Sequence, residues 1–157
     1  MAILGADIPA DLIEKTRDAL LRGINKSETL RINFPHTKLT LHRKTYSGDY
    51  ILRGHSAVRG FFDIAKFGML PMPGCKGICI FHHVEVEREF RGNGIGLALL
   101  RIRQQAARDA GYSLAMATVK YDNTTERNIL GTENWTFEST FHNKRTSNWV
   151  VIYQKNL

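Results

Sequence analysis

The chain contains 157 residues, the size of one domain with a continuous core, and 43% of them are hydrophobic. No apolar run approaches the length that spans a bilayer, so the composition excludes a membrane-embedded protein. Lysine and arginine total 22 against 15 acidic residues, and the net charge of +7 favours an anionic partner: a phosphate-bearing cofactor, an acidic substrate or nucleic acid. The charges are scattered and form no polybasic tail, so we expect no electrostatic nucleic-acid arm.

The cysteines and the first residues indicate the compartment. Cys75 and Cys79 provide no disulfide framework, which favours a reducing, cytoplasmic setting. The first 25 residues contain acidic side chains and lack the apolar core of a signal peptide. We therefore expect a cytoplasmic protein with no membrane association.

The chain begins with the pattern of an amphipathic helix over residues 9–23, with Pro9 suited to its first turn. The apolar face of this helix comprises Leu12, Ile13, Ala19 and Leu20. We expect this face to pack on the core.

Short alternating runs follow in the first half. Residues 29–34, 38–44 and 50–54 each alternate apolar and polar side chains, which predicts antiparallel strands. Residues 55–70 fit a helix or a strand equally well. The Pro-Met-Pro-Gly sequence at 71–74 predicts a turn.

The next two elements are a strand and a long helix. Residues 77–86 predict a strand whose one face carries Ile78, Ile80, His82, Val84 and Val86. Residues 94–110 have apolar side chains at three- and four-residue spacing, which predicts a helix, and Gly111 is suited to end it.

The last part of the chain predicts a strand, a short helix and a hairpin. The strand covers 112–123 and the helix 124–130. The hairpin pairs 135–141 with 149–157 around a turn at 142–148.

A glycine-rich loop joins the predicted strand and long helix. Residues 91–96 read Arg-Gly-Asn-Gly-Ile-Gly, and glycines at a helix amino end let the main chain approach a phosphate closely. The loop is not a dinucleotide fingerprint, because Leu97 or Leu99 stands where the last glycine belongs, and no Gly-Lys-Ser/Thr follows. Taken alone, it is either an anion site or a tight strand–helix turn.

The loop matches the Arg/Gln-x-x-Gly-x-Gly/Ala signature, and the chain therefore resembles the Gcn5-related N-acetyltransferase (GNAT) superfamily. The strand before the loop and the helix after it resemble the family's central strand and cofactor-binding helix. Asn123, followed by a short helix and by Trp135 twelve residues later, is similar to a second family motif. The resemblance covers about residues 76–157, and the first half resembles the family only in mixing helix and strand.

The resemblance implies a fold and a cofactor. The fold would be a single α/β (α+β) domain over residues 1–157, with a mixed, mostly antiparallel sheet flanked by helices and a central strand that splays from its neighbour. The cofactor would be acetyl-CoA, with its pyrophosphate on the loop amides and its pantetheine arm along the central strand. The implied residues are Val84 and Val86 for the pantetheine, Arg91, Gly92, Asn93, Gly94, Ile95 and Gly96 for the pyrophosphate, and Asn123 for the arm.

Asn123, and three arginines of the predicted long helix, also have plainer interpretations. Asn123 also suits a strand-end turn. Arg101, Arg103 and Arg108 could reach the nucleotide phosphates, but we interpret them as a solvated helix face.

Acyl transfer from a thioester requires a neutral amine, a stabilised oxyanion and a leaving thiolate that accepts a proton. In the family a carboxylate or histidine on the central strand often acts as base, and the resemblance points to His82 as the catalytic base here, since the pKa of histidine suits proton acceptance near neutrality. A hydrogen-bonded core residue is the alternative. We expect His83 and Glu85 to point to the opposite face, and a backbone N–H near Val84 to meet the oxyanion.

The general acid departs from the family pattern. Many members carry a tyrosine seven residues after the asparagine, and here that position is Leu130. Tyr121 is nearby, but a tyrosine at a strand end usually packs. Asn134 replaces the usual glycine before the aromatic residue, and asparagine tolerates the left-handed conformation.

A metal site is a competing interpretation. Cys75, Cys79, His82 and His83 place four potential ligands within nine residues. In a regular strand Cys79 and His83 share a face and His82 points away, so the four side chains cannot converge without a break in the strand. We therefore expect no metal.

A nucleic-acid partner is the other competing interpretation. Aromatic and basic residues interleave at 141–149, where Lys144 and Arg145 lie in a predicted hairpin turn, and a solvated turn explains the same residues. The alternatives are thus an acyltransferase acting on a nucleic acid or modified nucleobase, and a non-catalytic module that binds nucleic acid or coenzyme A.

The function expected from the sequence is transfer of an acetyl or short acyl group from coenzyme A to a primary amine by direct attack. The class of the acceptor and the oligomeric state stay open. The polar candidates for the acceptor pocket in the first half are His36, His42, Tyr46, His55 and Arg59.

Overall fold

The structure, a computed structural model, describes residues 10–44 and 48–157. Within them the helices are α1 (Ala10–Lys26), α2 (Glu28–Asn33), α3 (Ile95–Ala110) and α4 (Thr124–Thr132), with a 3₁₀ turn at Arg88–Phe90. The strands are β1 (Lys38–Arg43), β2 (Asp49–Ser56), β3 (Gly60–Met72), β4 (Cys75–Val86), β5 (Leu114–Lys120), β6 (Thr136–Asn143) and β7 (Asn148–Asn156). Pro9 and Tyr46, named above, lie outside the described residues.

The strands form one sheet in the order β1-β2-β3-β4-β5-β7-β6. Every neighbouring pair is antiparallel except β4 and β5, which are parallel and are joined by the crossover helix α3. The predicted mixed, mostly antiparallel sheet with flanking helices is confirmed, as are the long helix, the short helix and the final hairpin. The ambiguous segment 55–70 is the end of β2, a turn and most of β3.

Helices α1 and α3 pack against each other and against the sheet. Their apolar faces place Leu20 of α1 and Leu99 of α3 in one buried cluster with the strand residues Tyr50 and Phe67. The two helices approach most closely at Gly23, where a β-carbon would lie 2.9 Å from Ile102 Cγ2. In the part of the chain that the structure describes, no helix has the length and apolar character needed to cross a membrane.

The predicted strand at 29–34 is wrong, because this segment forms α2. Ser27 caps the helix: its Oγ accepts a hydrogen bond from the Leu30 backbone N–H at 3.3 Å. Leu30 is fully buried while Ile32 is 70% exposed. The alternating apolar residues therefore do not share one buried face, since Leu30 and Phe34 are buried and Ile32 between them is not, and the Ser27 cap favours the helix.

Strand β4 contains a β-bulge that was not predicted from the sequence. Phe67 of β3 pairs with Val84, but the next residue, Gly68, pairs with His82, so His83 is an extra residue in β4. Paired residues share a face of the sheet. His82 therefore lies with Gly68 on one face, and Val84 lies with the buried Phe67 on the other.

The bulge corrects three predictions, one of which is that Glu85 lies opposite His82: Glu85 pairs with Lys66 and therefore shares the face of His82 and Gly68. The expected common face holds for Ile78, Ile80 and His82, but Val84 and Val86 lie on the opposite face, the one that carries Phe67. His83 was expected opposite His82, yet its ring contacts the same carboxylate as His82 does. The reason is the extra residue, which shifts the two-residue period of the strand by one position.

The His82 ring occupies the space that a side chain at position 68 would fill. This packing allows a test of the pairing of Gly68 with His82 at the bulge. A β-carbon at Gly68 would lie 2.2 Å from the imidazole Cε1 and Nδ1, so the Gly68→Ala substitution must displace the ring. We expect it to lower the free energy of unfolding by about 1–3 kcal/mol. Gly77→Ala is the matched control in the same sheet, because its nearest neighbour would be Ser113 Oγ at 4.0 Å. Equal stability of the two variants in chemical denaturation would contradict the packing described.

Candidate active site

A cavity of about 480 Å³ opens where β4 and β5 separate. The two strands pair from Ile78 with Leu114 as far as Phe81 with Ala117, and each then continues without the other. This confirms the predicted splay of the central strand. The cavity is lined by Phe81, His82, His83, Val84, Leu100, Arg103, Ala117, Thr118, Val119, Lys120, Asn123, Glu126 and Leu130.

The glycine loop leads into the helix that forms one wall of this cavity. Gly92 and Gly94 have φ values of 80° and 78°, which are strained for any residue with a β-carbon. Gly94 is the N-cap of α3, and its carbonyl accepts a hydrogen bond from the Ala98 N–H at 3.0 Å. Among the described residues nothing lies within 4 Å of the place a β-carbon on Gly92 would take, so the main chain there is open to a ligand.

The polar side chains of the loop form hydrogen bonds with backbone carbonyls in the loop or close to it. Arg91 Nε donates to the Val86 carbonyl at 2.8 Å, and Asn93 Nδ2 donates to the Phe90 carbonyl at 3.1 Å. Ile95 is 2% exposed and belongs to the core. A ligand at this loop would therefore meet its backbone N–H groups and the positive end of α3.

The remaining predicted cofactor residues are divided between the cavity and the loop. Asn123 lines the cavity and is also the N-cap of α4, with Oδ1 accepting from the Glu126 N–H at 3.2 Å. Val84 lines the cavity as well. Val86 lies beyond it, where its carbonyl is held by Arg91. A β-carbon on Gly96 would lie 3.8 Å from Ile129 Cδ1, so this glycine faces α4.

His82 and His83 form a cluster with Asp49 of β2. Asp49 Oδ1 lies 3.6 Å from His82 Nδ1 and 3.4 Å from His83 Nε2, and the two Nδ1 atoms are 3.2 Å apart. Asp49 pairs with Gly68, whose missing side chain lets a residue of β2 reach β4 across β3. The ligand atoms of the three residues lie within 4.8 Å of one another. We assign no metal to them, because the contacts among these three residues account for the spacing.

The environment of His82 favours a neutral ring. Burial is the largest effect and lowers the pKa of His82 below its ordinary value, and the adjacent His83 lowers it too. The Asp49 carboxylate opposes this and raises the pKa, while the Arg103 cation lowers it. His82 Nε2 is buried without a hydrogen-bond partner, and His83, with half of its side chain exposed, is the more accessible ring.

The prediction that Arg103 belongs to a solvated helix face is wrong. It is 2% exposed, and its guanidinium lies over the Phe81 ring at 4.9 Å and the Phe67 ring at 5.8 Å. Its Nη1 donates to the carbonyls of Gly68 at 3.1 Å and His82 at 3.4 Å. Burial lowers the pKa of Arg103 to about 10, so the group still carries its charge near neutrality.

The other two arginines of α3 lie at the surface, as expected. Arg101 Nε pairs with Glu133 Oε1 at 2.5 Å, and Arg108 is exposed. Leu130 is 1% exposed at the cavity wall, so the position of the family tyrosine is filled by an apolar side chain. Asn134 has a φ of 60°, which confirms that it takes the left-handed conformation.

The cysteines do not join the histidines. Cys79 is fully buried, and burial raises the pKa of Cys79 to about 12, which keeps it a thiol. Cys75 pairs with Met72 at the far end of β4. The metal set considered from the sequence is therefore not assembled, although the break that it required is present as the bulge.

The candidates for the acceptor pocket are scattered. His55 stacks on Phe61, and His42 lies 3.3 Å from the Thr40 hydroxyl. Arg59 pairs with Glu89, and His36 is exposed. None of these four lines the cavity between β4 and β5.

Sequence reasoning missed three charged residues at the cavity or beside it: Asp49, Arg103 and Glu126. Asp49 depends on strand register and left no local signal. Glu126 could have been found, because it lies four residues before Leu130 and thus on the same side of a helix. Arg103 interrupts an apolar stripe of α3, which is the signal that was misread as a solvated face.

Comparison with solved structures shows the fold. A GNAT family acetyltransferase from Elizabethkingia anophelis with acetyl-CoA bound is 10% identical, with a TM-score of 0.62 over 78% of this chain and 99% of that one. The IAA acetyltransferase from Bacillus cereus is 14% identical, with a TM-score of 0.59 over 98% and 95%.

The yncA protein of Salmonella typhimurium, a putative acetyltransferase with its cofactor acetyl-CoA, is 15% identical, with a TM-score of 0.56. That match covers 70% of this chain and 65% of the yncA chain, so it spans just under two thirds of the relative. No curated protein matches the sequence at a significant level.

The family itself is shown by the sequence. The model of the acetyltransferase (GNAT) family matches residues 39–130, which is more than half of the chain. The match begins well before residue 76, where the resemblance was expected to begin, so it includes β1, β2 and β3. The chain belongs to the acetyltransferase (GNAT) family.

Proposed function

We propose that this protein transfers an acetyl group from acetyl-CoA to a primary amine by direct attack. The observation that carries the proposal is the cavity between the splayed strands, one wall of which is the helix that begins at the glycine loop. A ligand that joins a diphosphate to a slender arm fits this arrangement, with the diphosphate at the positive end of α3 and the arm between β4 and β5.

The proposed cofactor contacts follow from the geometry of the loop and the cavity. Residues 91–96 hold the pyrophosphate through their backbone N–H groups. Val84 and Asn123 border the pantetheine arm, and Val86, whose carbonyl Arg91 already holds, contributes at most its N–H group. Acetyl-CoA supplies an activated thioester carbonyl when bound.

The proposed catalytic base is His82, with His83 and Asp49 beside it. An amine in the cavity reaches the more accessible His83 first, and the contact between the two Nδ1 atoms at 3.2 Å provides a path to His82. A neutral ring accepts a proton, and the lowered pKa of His82 keeps it neutral at physiological pH. The bulge near Val84 is where a backbone N–H would meet the oxyanion.

The first prediction concerns cofactor binding at the loop. Gly94→Asp places an anion where the pyrophosphate is expected and should abolish coenzyme A binding in calorimetry. Gly94→Asn is the matched control, because it has nearly the same bulk, tolerates positive φ and adds no charge. We expect the asparagine variant to bind. Equal affinity of wild type and Gly94→Asp would remove the proposed pyrophosphate site.

The second prediction concerns the base. His82→Ala should lower turnover by about 100-fold, the lower limit for losing a general base, while acetyl-CoA affinity stays nearly unchanged. Steady-state kinetics and calorimetry on the same preparation separate the two effects. Wild-type turnover across the pH range in His82→Ala would exclude the role.

The third prediction concerns the protonation of His82. Because its pKa is lowered, we expect the ring to titrate below about pH 6.5 in histidine-selective NMR, with the signal assigned by its loss in His82→Ala. Asp49→Asn removes the charge that raises this pKa, so the midpoint should move to still lower pH. A midpoint above 6.5, or an upward shift in Asp49→Asn, would contradict the electrostatics described.

A nucleic-acid acceptor is the second candidate function, and the final hairpin favours it. Phe137, Phe141 and Trp149 are 52%, 39% and 58% exposed, on the hairpin whose turn carries Lys144 and Arg145. Exposed aromatic rings suit stacked bases, and the basic side chains of the turn suit phosphates. Salt-dependent affinity for RNA together with acetyl transfer to it would support this acceptor, and affinity without turnover would support a binding module. The cytoplasmic location stays a prediction from the cysteines.

A further inference from the structure

Glu126 is a carboxyl group of the cavity that the proposed reaction leaves without a role. It occupies the third position of α4, where a glutamate commonly bonds back to the N–H of the N-cap residue. Here the Asn123 N–H donates instead to the Lys120 carbonyl at 3.0 Å. Glu126 is partly buried and lines the cavity between β4 and β5.

Glu126 and Leu130 occupy the same side of α4. Residues four apart on a helix are neighbours, and both side chains line the same cavity. Leu130 offers no proton to a leaving group. Glu126, one turn closer to the amino end of α4, places a carboxyl group on the same wall.

The surroundings of Glu126 support a carboxyl that retains its proton better than usual. Burial raises the pKa of Glu126 above its ordinary value, and the Arg103 cation opposes this with a smaller effect. The other titratable groups on the cavity wall are His82 and His83 of β4 and Lys120 of β5. Arg103 still has its Nε without a hydrogen-bond partner, so it is able to stabilise the carboxylate that remains after proton loss.

We propose that Glu126 is the general acid of this acetyltransferase and protonates the leaving thiolate from the cavity wall that it shares with Leu130. When the tetrahedral intermediate collapses, the C–S bond breaks and its electron pair goes to sulfur. The Glu126 proton forms the S–H bond of free coenzyme A, and the carboxylate regains a proton from solvent before the next cycle. This inference rests on the proposed acetyl transfer.

The test compares wild type with Glu126→Gln, which keeps the shape and removes the acidic proton. Release of coenzyme A thiol from acetyl-CoA is followed with a thiol reagent over a panel of primary amines, and the rate without enzyme is subtracted. We expect turnover to fall by about 100-fold, while acetyl-CoA affinity in calorimetry changes by less than about 3-fold. Glu138→Gln, at an exposed position on β6 outside the cavity, is the matched control and should retain wild-type turnover.

A rescue variant separates proton donation from a structural role. Leu130→Tyr introduced into Glu126→Gln returns a hydroxyl proton donor to the same side of α4 and should recover at least about tenfold of the lost turnover. Thermal unfolding of each variant shows whether the fold persists. A merely structural Glu126 would lower stability and would not be rescued by the tyrosine.

A second readout does not depend on turnover. In the free protein, carboxyl-selective NMR should place the Glu126 titration above the ordinary glutamate value, with the signal identified by its loss in Glu126→Gln. Unchanged turnover in Glu126→Gln, or an unshifted carboxyl, would overturn the inference and leave the acetyl transfer in place. Failure of wild type to bind acetyl-CoA or to release coenzyme A would overturn the proposed function, and this inference with it.

Discussion

The architecture of the site depends on one buried cation. Arg103 lies between two phenylalanine rings and donates to the carbonyls of Gly68 and His82, on the two strands that meet at the bulge. Without those bonds two carbonyls beside the core would lose a donor, and the extra residue of β4 would have less to hold it. The same charge lowers the pKa of His82 and that of Glu126. A single side chain thus influences strand geometry and both groups that we propose for proton transfer.

The sequence was sufficient for the elements with strong local signals. The glycines at 92 and 94 require positive φ, and the apolar spacing of α3 ends at Gly111, so the loop and helix were predictable from local chemistry. The family followed from the same residues. The helix at α2 was missed, because six residues with one buried member look like a strand until the Ser27 cap is recognised.

What could not be predicted depends on pairing between distant strands. A bulge changes the face of every residue beyond it, and nothing local in Phe-His-His-Val says that one of these residues is extra. Asp49 reaches the histidines only because Gly68 lies between them without a side chain. The arginine at 103 was misread because a buried charge on an apolar stripe is rare, and its aromatic and carbonyl partners come from other strands.

The absence of a side chain at Gly68 has a consequence for how the sequence of this protein can change. Asp49 belongs to β2, which does not pair with β4, yet its charge acts on His82 through the gap in β3. A substitution in β2 that removes or displaces the Asp49 carboxylate therefore also changes the proton affinity of the proposed base. The proton affinity of a ring on β4 thus depends on the sequence of a strand that β4 never contacts through its backbone, and selection on β2 acts on both strands.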